Sequence, residues 1–323
     1  MSLEADRMTN LTLTDKEVLP ERDVVLEERR SRTDNDPGAQ LYEASRAALF
    51  INHPYRFPVI GWKHEIAALT TKDAIDFYRK YYVPNNAILI VAGDVTVERL
   101  KPLAEKFYGV IERGPRILRK RPSEPPQLAA RRLEMKNARV GQPNWSRYYT
   151  APSYRLAKGN EAYALQIFSK IIGGGTTSRL YKKLVVEMGI AVSATAWFNP
   201  DQLDLGSFGL AFSPSSGVTL KTVENALSDE IEKFLKDGIT VDEVARAKKT
   251  LVARAVYALD SLGTAPNIIG RALATGRTLE DIESWPERIK AVTVDDVNRA
   301  ARETLIERRS VTNILRPLDR NMD

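Results

Sequence analysis

One stretch of this 323-residue chain occurs twice. Trp62-Lys-His-Glu-Ile66-Ala-Ala-Leu69-Thr70-Thr-Lys-Asp73 and Trp285-Pro-Glu-Arg-Ile289-Lys-Ala-Val292-Thr293-Val-Asp-Asp296 share the pattern W-x3-I-x2-[LV]-T-x2-D at a separation of 223. In each copy the Thr-x-x-Asp reads as a helix cap, the threonine hydroxyl accepting a backbone N–H. A helical stretch follows, then an apolar strand candidate: 87–92 (AILIVA) in the first copy and 310–315 (SVTNIL) in the second. A further match lies at an offset of 226. Asp15-Lys16-Glu17-Val18 opens a helix expected to run to 28, and Val241-Asp242-Glu243-Val244 opens one expected to run to 254. Two correspondences with matching flanks point to a duplication.

The duplication sets the expected organisation. The second copy occupies roughly 190 residues, and counting that length back from Asp94 puts the first copy's start roughly 95 residues before Met1. Residues 1–111 are therefore expected to be the C-terminal half of a first domain, and 128–323 a complete second one. Met1-Ser2-Leu3 reads as a start supplied by an expression vector. Between the two, 112–127 (ERGPRILRKRPSEPPQ) carries four prolines, a glycine and five basic residues without apolar periodicity. That is the composition of a solvated linker.

Within the second copy, 161–172 reads as a helix ending at Gly173-Gly174-Gly175, and 192–198 and 207–212 read as strands. Val223, Leu227, Ile231, Phe234 and Leu235 form a helical stripe over 220–235. Helices and strands mix without strict alternation. The expected class is α+β: two related domains, each a mixed or antiparallel sheet with helices packed on one face, the first domain incomplete.

Composition narrows the chemistry. The chain has no cysteine, which removes disulfides, thiol nucleophiles and thiolate metal sites. No apolar run is long enough to span a bilayer, and the first residues have no signal-peptide core. The net charge of +6 is concentrated at 116–121, within the linker. No aromatic residues interleave with it, so a nucleic-acid surface is not indicated. The glycine run lacks the G-x4-G-K-[ST] of a phosphate loop and reads as a place where backbone bends or approaches another chain closely. Ser153, Ser178 and Ser193 have neither a G-x-S-x-G context nor a histidine partner.

The acidic residues of the 15–28 helix stand out. Glu21 and Glu28 are seven apart and share one face about two turns apart, while Glu27 points about 100° away from Glu28. By spacing alone this is also what a solvated face of i,i+4 ion pairs looks like. The stretch ERDVVLEE (21–28) resembles the downstream acidic helix of the insulinase/pitrilysin zinc peptidases, the inverzincins. His53-Pro54-Tyr55-Arg56-Phe57-Pro58-Val59-Ile60-Gly61 is similar to that family's following loop. Tyr82-Val83-Pro84-Asn85-Asn86-Ala87 through Gly93-Asp94-Val95 is similar to its helix-to-strand unit, and 173–181 (GGGTTSRLY) to its second-domain glycine loop.

The resemblance covers essentially the whole chain and implies a zinc metalloendopeptidase. In that family H-x-x-E-H supplies two histidine ligands and a general base, with a glutamate about 75 residues later as the third ligand. The resemblance places that ligand at Glu28 and a supporting, non-ligating acid at Glu21. At the matching positions of the second copy stand Ala247 and Arg254, as in an inactive duplicate. H-x-x-E-H itself is absent. The only histidines, His53 and His64, are expected to be loop or surface residues rather than ligands. By the same resemblance the motif would fall roughly 50 residues before Met1, so the chain alone is expected to bind no catalytic Zn2+ and cleave nothing.

A second departure concerns substrate binding. Many members carry an arginine and a tyrosine seven apart after the glycine loop. Here those positions are Val185 and Val192, which cannot donate a hydrogen bond. The resemblance implies a heterodimer in which a homologous partner subunit supplies that pair. It also points to a periplasmic location, and it leaves a non-catalytic structural or partner subunit of the same fold as the rival reading.

Overall fold

The computed structural model describes residues 1–258 and 260–318. Both copies of the repeat keep the same capped helix starts. The first half is helical: α1 (Ser2–Asn10), α2 (Asp15–Arg29), α3 (Pro37–Leu49), α4 (Lys63–Ala68), α5 (Thr71–Tyr81) and α6 (Val97–Phe107). The second half contains β1 (Arg131–Asn137), β2 (Asn144–Ala151), α7 (Glu161–Gly173), β3 (Ala191–Asn199), β4 (Gly206–Pro214), α8 (Leu220–Asp237) and α9 (Val241–Ala258). It closes with α10 (Thr264–Ala274), α11 (Leu279–Glu283), α12 (Trp285–Ala291), α13 (Val294–Thr304) and β5 (Ser310–Pro317).

The Thr70 backbone N–H donates to Asp73 and the Asp73 N–H to Thr70 Oγ1, at 2.9 and 3.2 Å. Thr293 and Asp296 exchange the same bonds at 3.0 Å each. α5 and α13 are then both 11 residues long. Likewise Thr14 and Glu17 cap α2, and Thr240 and Glu243 exchange the equivalent bonds at the start of α9. A capping box satisfies two backbone donors at once, so four boxes at two offsets fix where each helix starts.

The five strands form one sheet in the order β1-β5-β2-β4-β3, with β1 parallel to β5 and the other pairs antiparallel. Side chains alternate across it. Trp145, Tyr149, Phe208, Leu210, Phe212 and Ile314 face the core built with α7, α8, α9 and α13. Full burial of each large ring or aliphatic chain here contributes roughly 1.5–3 kcal/mol. The opposite face carries Leu133, Tyr148 and Val311, and it is covered by Leu49 and Phe50 at the end of α3. The expectation of helices on one face therefore holds for the second half's own helices, while α3 of the first half covers the other face.

Two expectations need correction. Residues 87–92 form no strand among the described residues and lie beside no other strand, and Ile88 and Leu89 are half-exposed. Strand propensity is realised only through a ladder partner. Residues 112–127 carry no regular secondary structure, yet their C-terminal end is not solvated. Gln127 is buried and donates to the Leu49 carbonyl, and the Glu124 carboxylate accepts the backbone N–H groups of Ile51, Asn52 and His53 at 2.7, 3.0 and 2.9 Å.

Candidate functional site

The acidic pair sits on α2. Besides its capping box, α2 is held at its C-terminal end by Arg29. This guanidinium is buried, makes paired bonds to Glu43 at 2.8 and 2.9 Å, and donates to the Gly61 carbonyl at 2.8 Å. The Glu43 carboxylate holds Arg29 more firmly protonated than usual. Arg29 thus ties α2 to α3 and to the loop before α4, which fixes the neighbouring Glu28 in rotation. Sequence reading did not single out Arg29. Its signal was its position on the stripe Val18, Arg22, Val25, Arg29, one helical face spaced by four, three and four.

Glu28 is partly exposed and pairs with Arg32 at 2.7 Å across one turn. Arg32 belongs to a π-helical turn, Arg30–Asp34, that follows α2 directly. Glu21 is exposed, opens into a groove and makes no hydrogen bond or ion pair among the described residues. The groove has a volume of about 1350 Å3 and is bounded by α1, α2, α5 and the 87–89 segment. Apart from Glu21 and a few rim charges, its lining is mostly aliphatic and aromatic, with Val18, Val25, Phe77 and Ile88 among it.

A catalytic zinc takes three N/O protein ligands and keeps one position open. Among the described residues no three Asp, Glu or His side chains converge on one point, and Glu28 is paired with a cation, Arg32. The donor set present does not make a zinc site by itself. His64 is exposed. His53, expected in a loop or on the surface, lies in a loop but is only 1% exposed. Its Nδ1 accepts the Tyr55 backbone N–H at 3.2 Å, and its Nε2 lies 3.8 Å from Asp204. The Pro54–Arg56 turn that it caps packs against the loop before β4, which is why it is covered.

In the second half, Ala247 is buried and Arg254 exposed at the positions matching Glu21 and Glu28. Val185 lies in the π-helical segment Tyr181–Glu187 and packs against the core. Val192 is half-exposed at a register irregularity in β3. The glycine run has a mechanical role. A Cβ on Gly173 would lie 1.9 Å from the Ala196 nitrogen, so glycine lets the end of α7 touch β3; Gly175 adopts φ +124°. The close approach is to a strand of the same chain.

The profile of the family described as "Peptidase M16 inactive domain" matches residues 68–251. The chain is 28% identical over 319 residues to the zinc protease PqqE of Helicobacter pylori, covering 98% of this chain and 71% of that protein. It is 30% identical over 322 residues to an uncharacterized zinc protease of Mycobacterium tuberculosis, again covering 98% and 71%. A crystal structure of a protease from Helicobacter pylori superposes with a TM-score of 0.89 at 28% identity, covering 98% of this chain and 75% of that one.

Proposed function

The chain belongs to the insulinase/pitrilysin (M16) family of peptidases, and on that premise we propose that it is part of a zinc-dependent endopeptidase subunit. In this reading, 1–111 is the C-terminal half of the zinc-bearing domain, 112–127 the linker and 128–323 the inactive partner domain. Glu28 is the third zinc ligand, and Glu21 supports the site without binding the metal. The other ligands come from outside these 323 residues, so the chain alone neither holds catalytic zinc nor cleaves peptides. The observation that carries the reading is the acidic pair on one face of α2, with Glu21 unpaired at the groove, where the duplicate has Ala247 and Arg254. Val185 and Val192 present only hydrocarbon, which supports a homologous partner subunit as the source of the substrate-gripping pair.

Zinc content and peptide hydrolysis of the full gene product test this. One zinc per protein is expected, falling at least tenfold in occupancy with Glu28→Gln, since a lost ligand cannot be replaced by a neutral amide. The 323-residue chain should retain none after dialysis. Near-stoichiometric zinc on this chain alone, or an unchanged occupancy in Glu28→Gln, would refute the assignment.

A second reading is a non-catalytic subunit of the same fold. It is supported by the match to a profile described as an inactive domain, and retention of Glu21 and Glu28 weighs against it. The gene sequence upstream separates the two: H-x-x-E-H supports the peptidase, and its absence the structural subunit.

A further inference from the structure

Four of the five basic residues of 112–127 fall within Arg116-Ile117-Leu118-Arg119-Lys120-Arg121, with no acid among them. Every residue from 115 to 123 except Ile117 is exposed, Leu118 by 76%, and the run has no regular secondary structure. Among the described residues no backbone N–H of 116–121 donates a hydrogen bond to another backbone group. Arg119 reaches Asn86 Oδ1 at 3.2 Å with its side chain alone. The run is pinned just outside both ends. The Gly114 N–H donates to Asn85 Oδ1 at 2.8 Å, and the Ser123 carbonyl accepts Asn52 Nδ2 at 3.0 Å, beside the Glu124 carboxylate. Outside this segment the described basic residues in loops, Arg139, Arg155, Lys158 and Arg277, stand singly in turns closed by backbone hydrogen bonds.

We propose that 116–121 is a processing site, cut after Arg119 or Lys120 by an endoprotease of trypsin-like specificity to leave a two-chain protein. Such an enzyme takes a long cationic side chain and binds an extended stretch of several residues. A backbone already free of internal hydrogen bonds supplies that stretch with no structure to unfold first. Water adds across the Arg119–Lys120 or Lys120–Arg121 peptide bond, leaving a carboxylate on one chain and an ammonium group on the other. The Arg121–Pro122 bond is spared, because proline has no N–H and its ring fixes the backbone. The anchors at 114 and 123 keep both new ends in place. The two chains stay associated, since contacts joining the halves lie away from the cut. Among them are Asn313 to Ser45 at 2.9 Å, the Leu203 N–H to the Tyr55 hydroxyl at 2.9 Å, and the buried packing of Leu49 and Phe50 on Val311. The inference rests on neither zinc nor the peptidase reading.

The full gene product isolated from its own cells is expected as two chains under denaturing conditions, the second beginning at Lys120 or Arg121. On native gel filtration the two should elute as one species. Trace trypsin added to uncut full gene product from another host should make the same cut roughly 100-fold faster than any other, as exposed loops are nicked before protected segments. Arg116→Gln, Arg119→Gln and Lys120→Gln together should leave a single chain in the original cells with an unchanged unfolding temperature. A protein that is single-chain when isolated from its own cells overturns the proposal, as does a first tryptic cut elsewhere or separation of the cut chains on gel filtration. A two-chain protein that binds no zinc leaves the proposal standing and removes the peptidase reading, so the two fail separately.

Discussion

Asn313 of β5 donates from Nδ2 to Ser45 Oγ of α3 at 2.9 Å, and both residues are buried. This bond joins residues 268 apart in the chain, and it lies between the sheet of the second half and the helix that covers its outer face. Asn313 Nδ2 also reaches Ser146 Oγ at 3.3 Å. Removing one partner of a buried bond leaves the other incompletely satisfied, at about 1–3 kcal/mol. Ser45→Ala is therefore expected to lower unfolding free energy by about 1 kcal/mol, the longer bond to Ser146 limiting the loss. Asn313→Ala removes the hub and should cost about 2 kcal/mol or more. Urea unfolding followed by tryptophan fluorescence measures both. Equal stability of Asn313→Ala and the parent would show that α3 is held by apolar contact alone.

Glu243 provides a pH-dependent stabilisation. Burial pushes its carboxyl up, but hydrogen bonds from Arg179 and from the backbone and hydroxyl of Thr240 outweigh it and hold the group at about 2. Arg179 meets it through two bonds of 2.5 Å, with both side chains mostly covered. A carboxyl depressed in the folded state adds stability that is fully present above its unfolded value and is lost as pH falls through its folded one. The window here runs from about 4.5 down to about 2. Asp296, also held at about 2, contributes over the low end of the same range. Glu243→Gln should cost on the order of 2 kcal/mol at pH 7 and flatten, without abolishing, the decline in stability between pH 4.5 and 2. Thermal unfolding across that range reads the effect; parallel curves for variant and parent would exclude Glu243 as the source.

Local signals carried most of the fold. The helices at 15, 161, 220 and 241 and the strands at 192, 207 and 310 were readable because caps, stripes and alternation act over a few residues. What escaped depends on partners distant in sequence. The 87–92 segment has the apolar, β-branched content of a strand, but a strand exists only beside another one. α3 covers a sheet assembled from residues a hundred or more positions later, and nothing in 37–49 announces that. The acidic pair at Glu21 and Glu28 was legible by spacing as a shared face, although spacing alone cannot distinguish a ligand from a solvated face. Arg29, which orients that face, was hidden because its partner Glu43 sits on another helix. His53, expected in a loop or on the surface, lies in a loop but is buried, because Phe50 and Tyr55 pack on its ring and the loop before β4, distant in sequence, closes over it.

The nest around Glu124 gives the last prediction. Three consecutive backbone N–H groups, at 51, 52 and 53, converge on one carboxylate, and Asn52 Nδ2 donates to the Ser123 carbonyl at 3.0 Å. The proline-flanked 122–126 segment is thereby anchored to the turn after α3, next to the buried Gln127. Hydrogen bonds to an ionised acceptor contribute about 1.5–3 kcal/mol each before cooperative losses. Glu124→Ala leaves three donors facing solvent or each other, and the nest should open far more readily than the core. Amide exchange at 51–53 is expected to accelerate by roughly 10- to 100-fold, while exchange in α7 and β4 stays unchanged, because local opening is decoupled from global unfolding. Glu124→Gln keeps one acceptor oxygen and should fall between the two. Exchange followed by mass spectrometry or NMR distinguishes the cases. If 51–53 exchange at the parent rate in Glu124→Ala, the turn is held by the packing of Phe50 and Tyr55, and the carboxylate is incidental to it.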